Sequence, residues 1–352
     1  MGNKIKALVI DDSAVIRHLL TEILNQEPDI EVVGSAQDPI FAMNKIKNTR
    51  PNVITLDVEM PRMDGLTFLE ELMKSDPIPV VMVSSLTHNG CATTLRALEL
   101  GAVDYVTKPS IDIAGGVLTL GEEIAAKVRA AANAKVRRTN GRHQAFPAQG
   151  ASNSRASLDT NKMSTTDRII AIGASTGGTQ AITEVITALP PSIPGIVIVQ
   201  HMPPVFTKSF ADRLNSISAL DVKEAANGDR VLRGTALIAP GDKHMAVKRN
   251  GAMYYVEIMD GPPVNFVRPA VDVLFRSVAQ HAGKNAVGVI LTGMGEDGAR
   301  GLKEMKEAGA YTVAQDEATS VVYGMPKKAL EMGGVDRVVP LNEMAKIIGC
   351  LN

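Results

Sequence analysis

The chain has no tryptophan and only two cysteines, and aromatic side chains make up 3% of its 352 residues. So few rings leave little for a base-stacking platform, which argues against nucleic acid as a ligand. Cys91 and Cys350 stand far apart with no CxxC or Cys/His spacing, so neither a zinc site nor a disulfide framework is expected. A reducing cytoplasm is the expected compartment. Charge of one sign is missing as well, because 37 Lys and Arg stand against 38 Asp and Glu. No overall field draws such a chain onto nucleic acid or an anionic membrane. No apolar run approaches the ~18 residues of a membrane span. The run at 7–10 stops at Asp11 and is too short for a signal-peptide core, so no export or membrane insertion is expected.

What is present is apolar material at 45% of the residues, enough for packed cores, in a length beyond the roughly 100–200 residues of one domain. From residue 4 to about 130, β-rich apolar runs at 7–10, 31–33, 53–56, 80–83 and 103–106 alternate with helix-period stretches such as 14–25 and 93–100. Parallel strands need crossover helices, so this pattern predicts a doubly wound α/β domain with a five-stranded parallel sheet. From about 133 to 166 the chain turns to Ala, Ser, Asn, Gln, Gly and basic residues such as Arg137, Arg138 and Arg142. That composition reads as a flexible linker. Beyond it, strands are predicted at 169–172, 196–199, 236–239, 287–291 and 312–314, with helix-period sequence at 179–189. Asn250-Gly251, between runs at 245–247 and 254–258, predicts a type I′ hairpin. The expectation is two α/β domains, 1–126 and 167–352, joined by a linker at 127–166. The second domain is expected to be mostly parallel with an antiparallel hairpin.

In open parallel sheets the functional groups collect at the carboxyl ends of the strands. In the first domain those ends carry Asp11-Asp12, Asp57, Ser84-Ser85 and Thr107-Lys108-Pro109. A single aspartate there is ordinarily a solvated loop residue, but the joint pattern is not. Three converging carboxylates need a proton or a hard cation to relieve their repulsion, and Mg²⁺ held by carboxylates, a backbone carbonyl and water satisfies that need. A carboxylate beside such an ion, with a lysine to pair an incoming anion and a hydroxyl to bond a phosphoryl oxygen, makes a phosphoryl acceptor with Asp57 as nucleophile. The segments LVIDDS, LDVEMPRMDG, VVMVSS and DYVTKP make residues 4–126 resemble a response-regulator receiver domain, of the flavodoxin-like fold. The resemblance implies phosphorylation of Asp57 from a sensor histidine kinase. It implies Mg²⁺ held by Asp12, Asp57 and the backbone carbonyl of Glu59, with Asp11 assisting. It also places Ser84 and Lys108 on the phosphoryl oxygens and Tyr105 at the family's aromatic switch position.

After the linker, the strand at 169–172 runs into Gly173-Ala174-Ser175-Thr176-Gly177-Gly178 and then a helical stretch, the strand–turn–helix setting of a G-x-S-x-G elbow. Such glycine-rich turns also cradle phosphates, so the elbow alone does not decide. The next strand stops at His201, and the strand at 287–291 runs into Thr292-Gly293-Met294-Gly295-Glu296-Asp297-Gly298. Ser175, His201 and Asp297 can then converge as a nucleophile, base and orienting acid. Glu296 and Asp316 stay open as alternatives for the acid. His18, His88, His143, His244 and His281 read as surface or structural residues. The order Ser, His, Asp differs from that of the α/β-hydrolases.

GASTGG, VQHMP, IAPGDKHM, LTGMGEDGARGL and AQDEATSVVYGMP, in that order, make residues 167–349 resemble the catalytic domain of the chemotaxis protein-glutamate methylesterases, the CheB family. The resemblance implies Ser175, His201 and Asp297 as the triad, with backbone N–H groups near Thr176 and Met294 in the oxyanion region. It implies hydrolysis of glutamate methyl esters on chemoreceptors, with release of methanol, and deamidation of receptor glutamines. No cofactor is implied for ester hydrolysis, and the Mg²⁺ belongs to the receiver. It further implies that the unphosphorylated receiver blocks the catalytic cleft until Asp57 is phosphorylated. Two other readings remain. The second domain could be a non-enzymatic binding module whose elbow holds an anion, or a hydrolase of another ester or amide. A DNA-binding output is disfavoured, because no basic helix-turn-helix segment follows the linker. A monomer is the default expectation.

Overall fold

The apolar runs at 53–56 and 80–83 lie in strands buried along their whole length, as a parallel sheet covered by helices on both faces requires. The computed structural model describes residues 4–60, 63–85, 87–108, 116–136 and 168–350. It divides into two units, residues 1–141 and 142–352.

The first unit runs β1 (Ile5–Ile10), α1 (Ala14–Asn25), β2 (Ile30–Ala36), α2 (Pro39–Thr49), β3 (Val53–Asp57), α3 (Gly65–Ser75), β4 (Val80–Ser84), α4 (His88–Glu99), β5 (Asp104–Thr107) and α5 (Gly116–Ala132). Its sheet is parallel throughout, in the order β2-β1-β3-β4-β5. That is the flavodoxin-like order, which puts the ends of β1 and β3 side by side. Four helices begin where a short polar side chain takes up an orphan N–H of the first turn: Ser13, Asp38, Asp64 and Thr87. α5 continues past the expected boundary at 126 to Ala132. From residue 137 to 167 the expected linker, with Arg137, Arg138, Arg142 and His143, lies outside the described residues.

The second unit runs β6 (Ile169–Ala174), α6 (Gly178–Thr187), β7 (Gly195–Gln200), α7 (Phe206–Ile217), β8 (Asp221–Glu224), β9 (Thr235–Ile238), β10 (His244–Asn250) and β11 (Met253–Met259). It continues with α8 (Val271–His281), β12 (Ala286–Ile290), α9 (Ala299–Glu307), β13 (Tyr311–Gln315), α10 (Met325–Glu331), β14 (Arg337–Val339) and α11 (Leu341–Cys350). Seven strands form a parallel sheet in the order β14-β13-β12-β6-β7-β9-β8. β6 lies at the centre, between β12 and β7, so the segments after these three strands emerge side by side. The hairpin β10-β11 is a separate antiparallel ribbon. Its buried face, with Met245, Val247, Tyr254 and Val256, shares one core with Leu274, Phe275 and Val278 of α8. The hairpin turn differs from expectation. Asn250 pairs with Met253, so the loop residues are Gly251 and Ala252, and Gly251 takes φ 58°. A glycine of positive φ in the first loop position, followed by an ordinary residue, is the type II′ pattern rather than type I′.

Candidate active site and acidic cluster

β6 ends at Ala174 and α6 starts at Gly178, so Ser175, Thr176 and Gly177 form the elbow between them. Gly177 has φ 75°, and a Cβ there would lie 2.6 Å from Cβ of Val321, so both backbone and space demand glycine. The elbow is tied to both neighbouring strand ends. His201 N donates to the Ala174 carbonyl at 3.1 Å, and Ser175 N donates to the Thr292 carbonyl at 3.0 Å. Gln200 Nε2 donates to the Ser175 carbonyl at 3.0 Å, and Thr292 Oγ1 donates to the Thr176 carbonyl at 3.0 Å. Gln315 Oε1 in turn accepts from Thr292 N at 2.8 Å. Gln200, Thr292 and Gln315 are all buried, and sequence reasoning missed them. Their signal was a polar residue closing an apolar strand, in IVIVQ, VILT and TVAQ.

His201 and Asp297 meet: Nε2 of His201 lies 2.8 Å from Oδ2 of Asp297. Asp297 is buried, and its carboxylate sits against the N-terminus of α8, where Val271 N donates to Oδ2 at 2.6 Å and Asp272 N to Oδ1 at 3.2 Å. The amide of Asn265 adds a bond to Oδ1 at 2.8 Å. Burial alone pushes the acid up, but the bond and charge of His201, then Asn265 and Val271 N, outweigh it and hold Asp297 below the usual carboxylate range. An ionised Asp297 can only accept, so Nε2 of His201 must be the donor. In the neutral ring the free lone pair is then on Nδ1, which is the proton acceptor this relay offers. Ser175 and His201 stand at adjacent strand ends, with no hydrogen bond between their side chains. The rival acids lie elsewhere: Glu296 is exposed, and Asp316 Oδ1 accepts from N and Oγ1 of Thr319. Gly293 packs so closely that a Cβ there would lie 2.9 Å from Cβ of Ser175, which brings the turn carrying Met294 against the elbow. Thr176 is buried and Met294 exposed. Of the other histidines, His18 is exposed beside Glu22, while buried His244 accepts from Ala270 N at 3.2 Å and bonds the Pro262 carbonyl at 3.0 Å.

In the first unit, Asp11, Asp12 and Asp57 each offer a carboxylate oxygen, and these lie within 4.8 Å of one another. Lys108 Nζ is 2.7 Å from Asp57 Oδ2 and 3.6 Å from Asp11 Oδ2. Burial, then the Asp57 charge, pushes Asp11 up to about 6. Burial also raises Asp57, against the pull of Lys108. Oδ2 of Asp11 is buried without a hydrogen-bond partner among the described residues. Three hard oxygen donors, one of them lacking a hydrogen-bond partner, suit Mg²⁺. Glu59 N donates to Asp57 Oδ1 at 3.3 Å. Ser84 is buried at the end of β4, with Oγ 3.2 Å from the Ser85 carbonyl. Tyr105 is buried too. Lys127 Nζ lies 5.0 Å from its ring centre and donates to its carbonyl at 2.7 Å.

Comparison with known proteins bears on both units. Residues 170–348 match the family model of the CheB methylesterases, and residues 7–114 match the response regulator receiver domain. A protein-glutamate methylesterase/protein-glutamine glutaminase of Burkholderia lata is 58% identical over 97% of this chain and 94% of its own length. One from Yersinia pestis is 56% identical over 98% of this chain and 96% of its own. The crystal structure of the Thermotoga maritima CheB methylesterase catalytic domain matches with a TM-score of 0.52 at 41% identity, covering 53% of this chain and all of that domain. The strand-end serine, histidine and aspartate stand inside the matched region, and the acidic cluster stands inside the receiver match. The chain belongs to the family of CheB methylesterases that carry a response-regulator receiver domain.

Proposed function

We propose that the protein hydrolyses glutamate γ-methyl esters on chemoreceptors through Ser175, His201 and Asp297, under the control of phosphorylation at Asp57. The observation that carries this reading is the bond between His201 Nε2 and an ionised Asp297, at the strand end next to Ser175. Nδ1 of His201 takes the Ser175 proton as Oγ attacks the ester carbonyl. Asp297 stabilises the imidazolium that results. Backbone N–H groups near Thr176 and Met294, with the N-terminus of α6 behind them, receive the oxyanion. The imidazolium then protonates the departing methoxide oxygen, so that methanol leaves and Ser175 stays acylated, and water takes the part of Ser175 in a second round that frees the glutamate. The same steps on a glutamine side chain release ammonia, which is the deamidation this reading includes.

In the receiver, Asp57 accepts the phosphoryl group from a sensor histidine kinase, and Lys108 and Ser84 bind the phosphoryl oxygens. Mg²⁺, held by Asp11, Asp12, Asp57 and the Glu59 carbonyl, would neutralise charge as the phosphoryl group transfers. Tyr105 is the reporter of that change. The enzyme works in the cytoplasm, on the cytoplasmic part of the receptors.

A serine-directed acylating reagent tests the nucleophile. Mass spectrometry should find one acyl group on Ser175, and the label should disappear in His201→Gln. Labelling elsewhere, or labelling unaffected by His201→Gln, would contradict the relay and favour a non-enzymatic module.

A further inference from the structure

Asn265 makes two hydrogen bonds with one nitrogen. Nδ2 donates to Asp297 Oδ1 at 2.8 Å and to Asp272 Oδ2 at 2.9 Å. Turning the amide over would set its oxygen against two carboxylates, so the network fixes its orientation. Each oxygen of Asp297 then has two donors: Asn265 and Asp272 N on Oδ1, Val271 N and His201 on Oδ2. Asp272 is itself buried and is tied by Oδ1 to Gly301 N at 2.7 Å. Its nearest cation, Arg276 Nη2, stands 3.9 Å away. Without the amide, two buried carboxylates would face each other.

The backbone is arranged to deliver this amide. Val264 and Val267 exchange both N–H···O bonds at 3.1 Å, and the two residues between them, Asn265 and Phe266, take φ 52° and 65°. Asparagine tolerates that region; an aromatic residue seldom enters it, and Phe266 is fully exposed with no packing to hold it there. The turn is kept by its surroundings. Arg268 holds Asp242 and the Gly261 carbonyl, and His244 holds the Pro262 carbonyl and Ala270 N. Strain held in this way, beside a reacting group, points to a role in positioning.

We propose that Asn265 is a positioning residue of the esterase: its amide bridges Asp297 and Asp272 and so holds the Asp297 carboxylate where His201 Nε2 meets it. This rests on the triad reading above. The charged groups around the bridge are His201 from the end of β7, Asp272 and Arg276 from α8, and Asp297 itself.

The experiment is methanol release from methylated receptor membranes across pH, with wild type, Asn265→Gly, Asn265→Asp and Ser175→Ala, and a melting curve for each. Glycine accepts the left-handed turn and removes the amide. Aspartate keeps the size and the turn but replaces the donors with a carboxylate. For Asn265→Gly, kcat should fall on the order of 10²-fold with KM unchanged. Its acid limb should move to higher pH, because less compensated carboxylates favour the imidazolium. Asn265→Asp should move that limb further the same way. Wild-type kcat and acid limb in folded Asn265→Gly, or a lower melting temperature with both unchanged, would overturn the assignment. Failure of both variants to fold would make the residue purely structural and overturn it too. If Ser175→Ala keeps wild-type turnover, the triad reading itself fails; if Ser175→Ala is inactive and Asn265→Gly is normal, only the role of Asn265 fails.

Discussion

Asp11 and Asp297 are buried carboxyls driven in opposite directions, and the difference lies in what each one faces. Asp297 has four donors, one of them His201; Asp11 has Asp57 and Asp12 close by and a lysine at 3.6 Å. Asp11 therefore titrates at about 6 in the fold, above its ordinary value. A group raised in this way favours the fold below its unfolded pKa, and that contribution is lost as the pH rises through about 6. Without divalent cations, Asp11→Asn should be about 1–2 kcal/mol more stable than wild type at pH 7, a figure discounted for partial solvent screening. The gap should close near pH ~4, about the unfolded value of the carboxyl. Urea unfolding of the two proteins at both pH values measures it, and equal stability at pH 7 would contradict the repulsion. Asp11, Asp12, Asp57 and Lys108 could be read in sequence because each lies within two residues of the end of an apolar strand run. Asn265 could not, because its role depends on a left-handed turn in a loop that approaches the triad only through tertiary packing.

At the scale of the element, the elbow shows how little freedom the strand–turn–helix junction has. Gly177→Ala would force an L-residue to φ 75° and press its Cβ on Val321. The expected loss is about 2–4 kcal/mol, the sum of left-handed strain and overpacking. Thermal unfolding checks the stability, and a parallel assay should find esterase activity reduced. A variant as stable as wild type would mean the elbow relaxes more easily than its packing implies. The strands lining each site were legible because their apolar runs are buried on both faces. β8 and β14 were not. They are the edges of the seven-stranded sheet, and β8 alternates exposed and buried residues over DVKE while β14 has only three residues. The hairpin could be seen from Asn250-Gly251, but its register is set by pairing with β11 and its packing on α8, which moved the loop by one residue.

At the scale of the whole molecule, nearly balanced charge and sparse aromatics left no general affinity to explain the protein, so its action has to come from specific sites. Two such sites are built by the same means, at the carboxyl ends of parallel strands in two α/β units. One is an acidic cluster suited to accept a phosphoryl group, and the other a serine elbow beside a histidine–aspartate pair. The most direct test is methanol release from radiomethylated chemoreceptor membranes, with and without a small-molecule phosphodonor and Mg²⁺, for wild type, Asp57→Ala and Ser175→Ala. Wild type should release methanol faster with the phosphodonor, Asp57→Ala should keep its basal rate without stimulation, and Ser175→Ala should lose up to ~10⁶-fold. Stimulation that survives in Asp57→Ala, or turnover that survives in Ser175→Ala, would contradict a phosphorylation-controlled serine esterase.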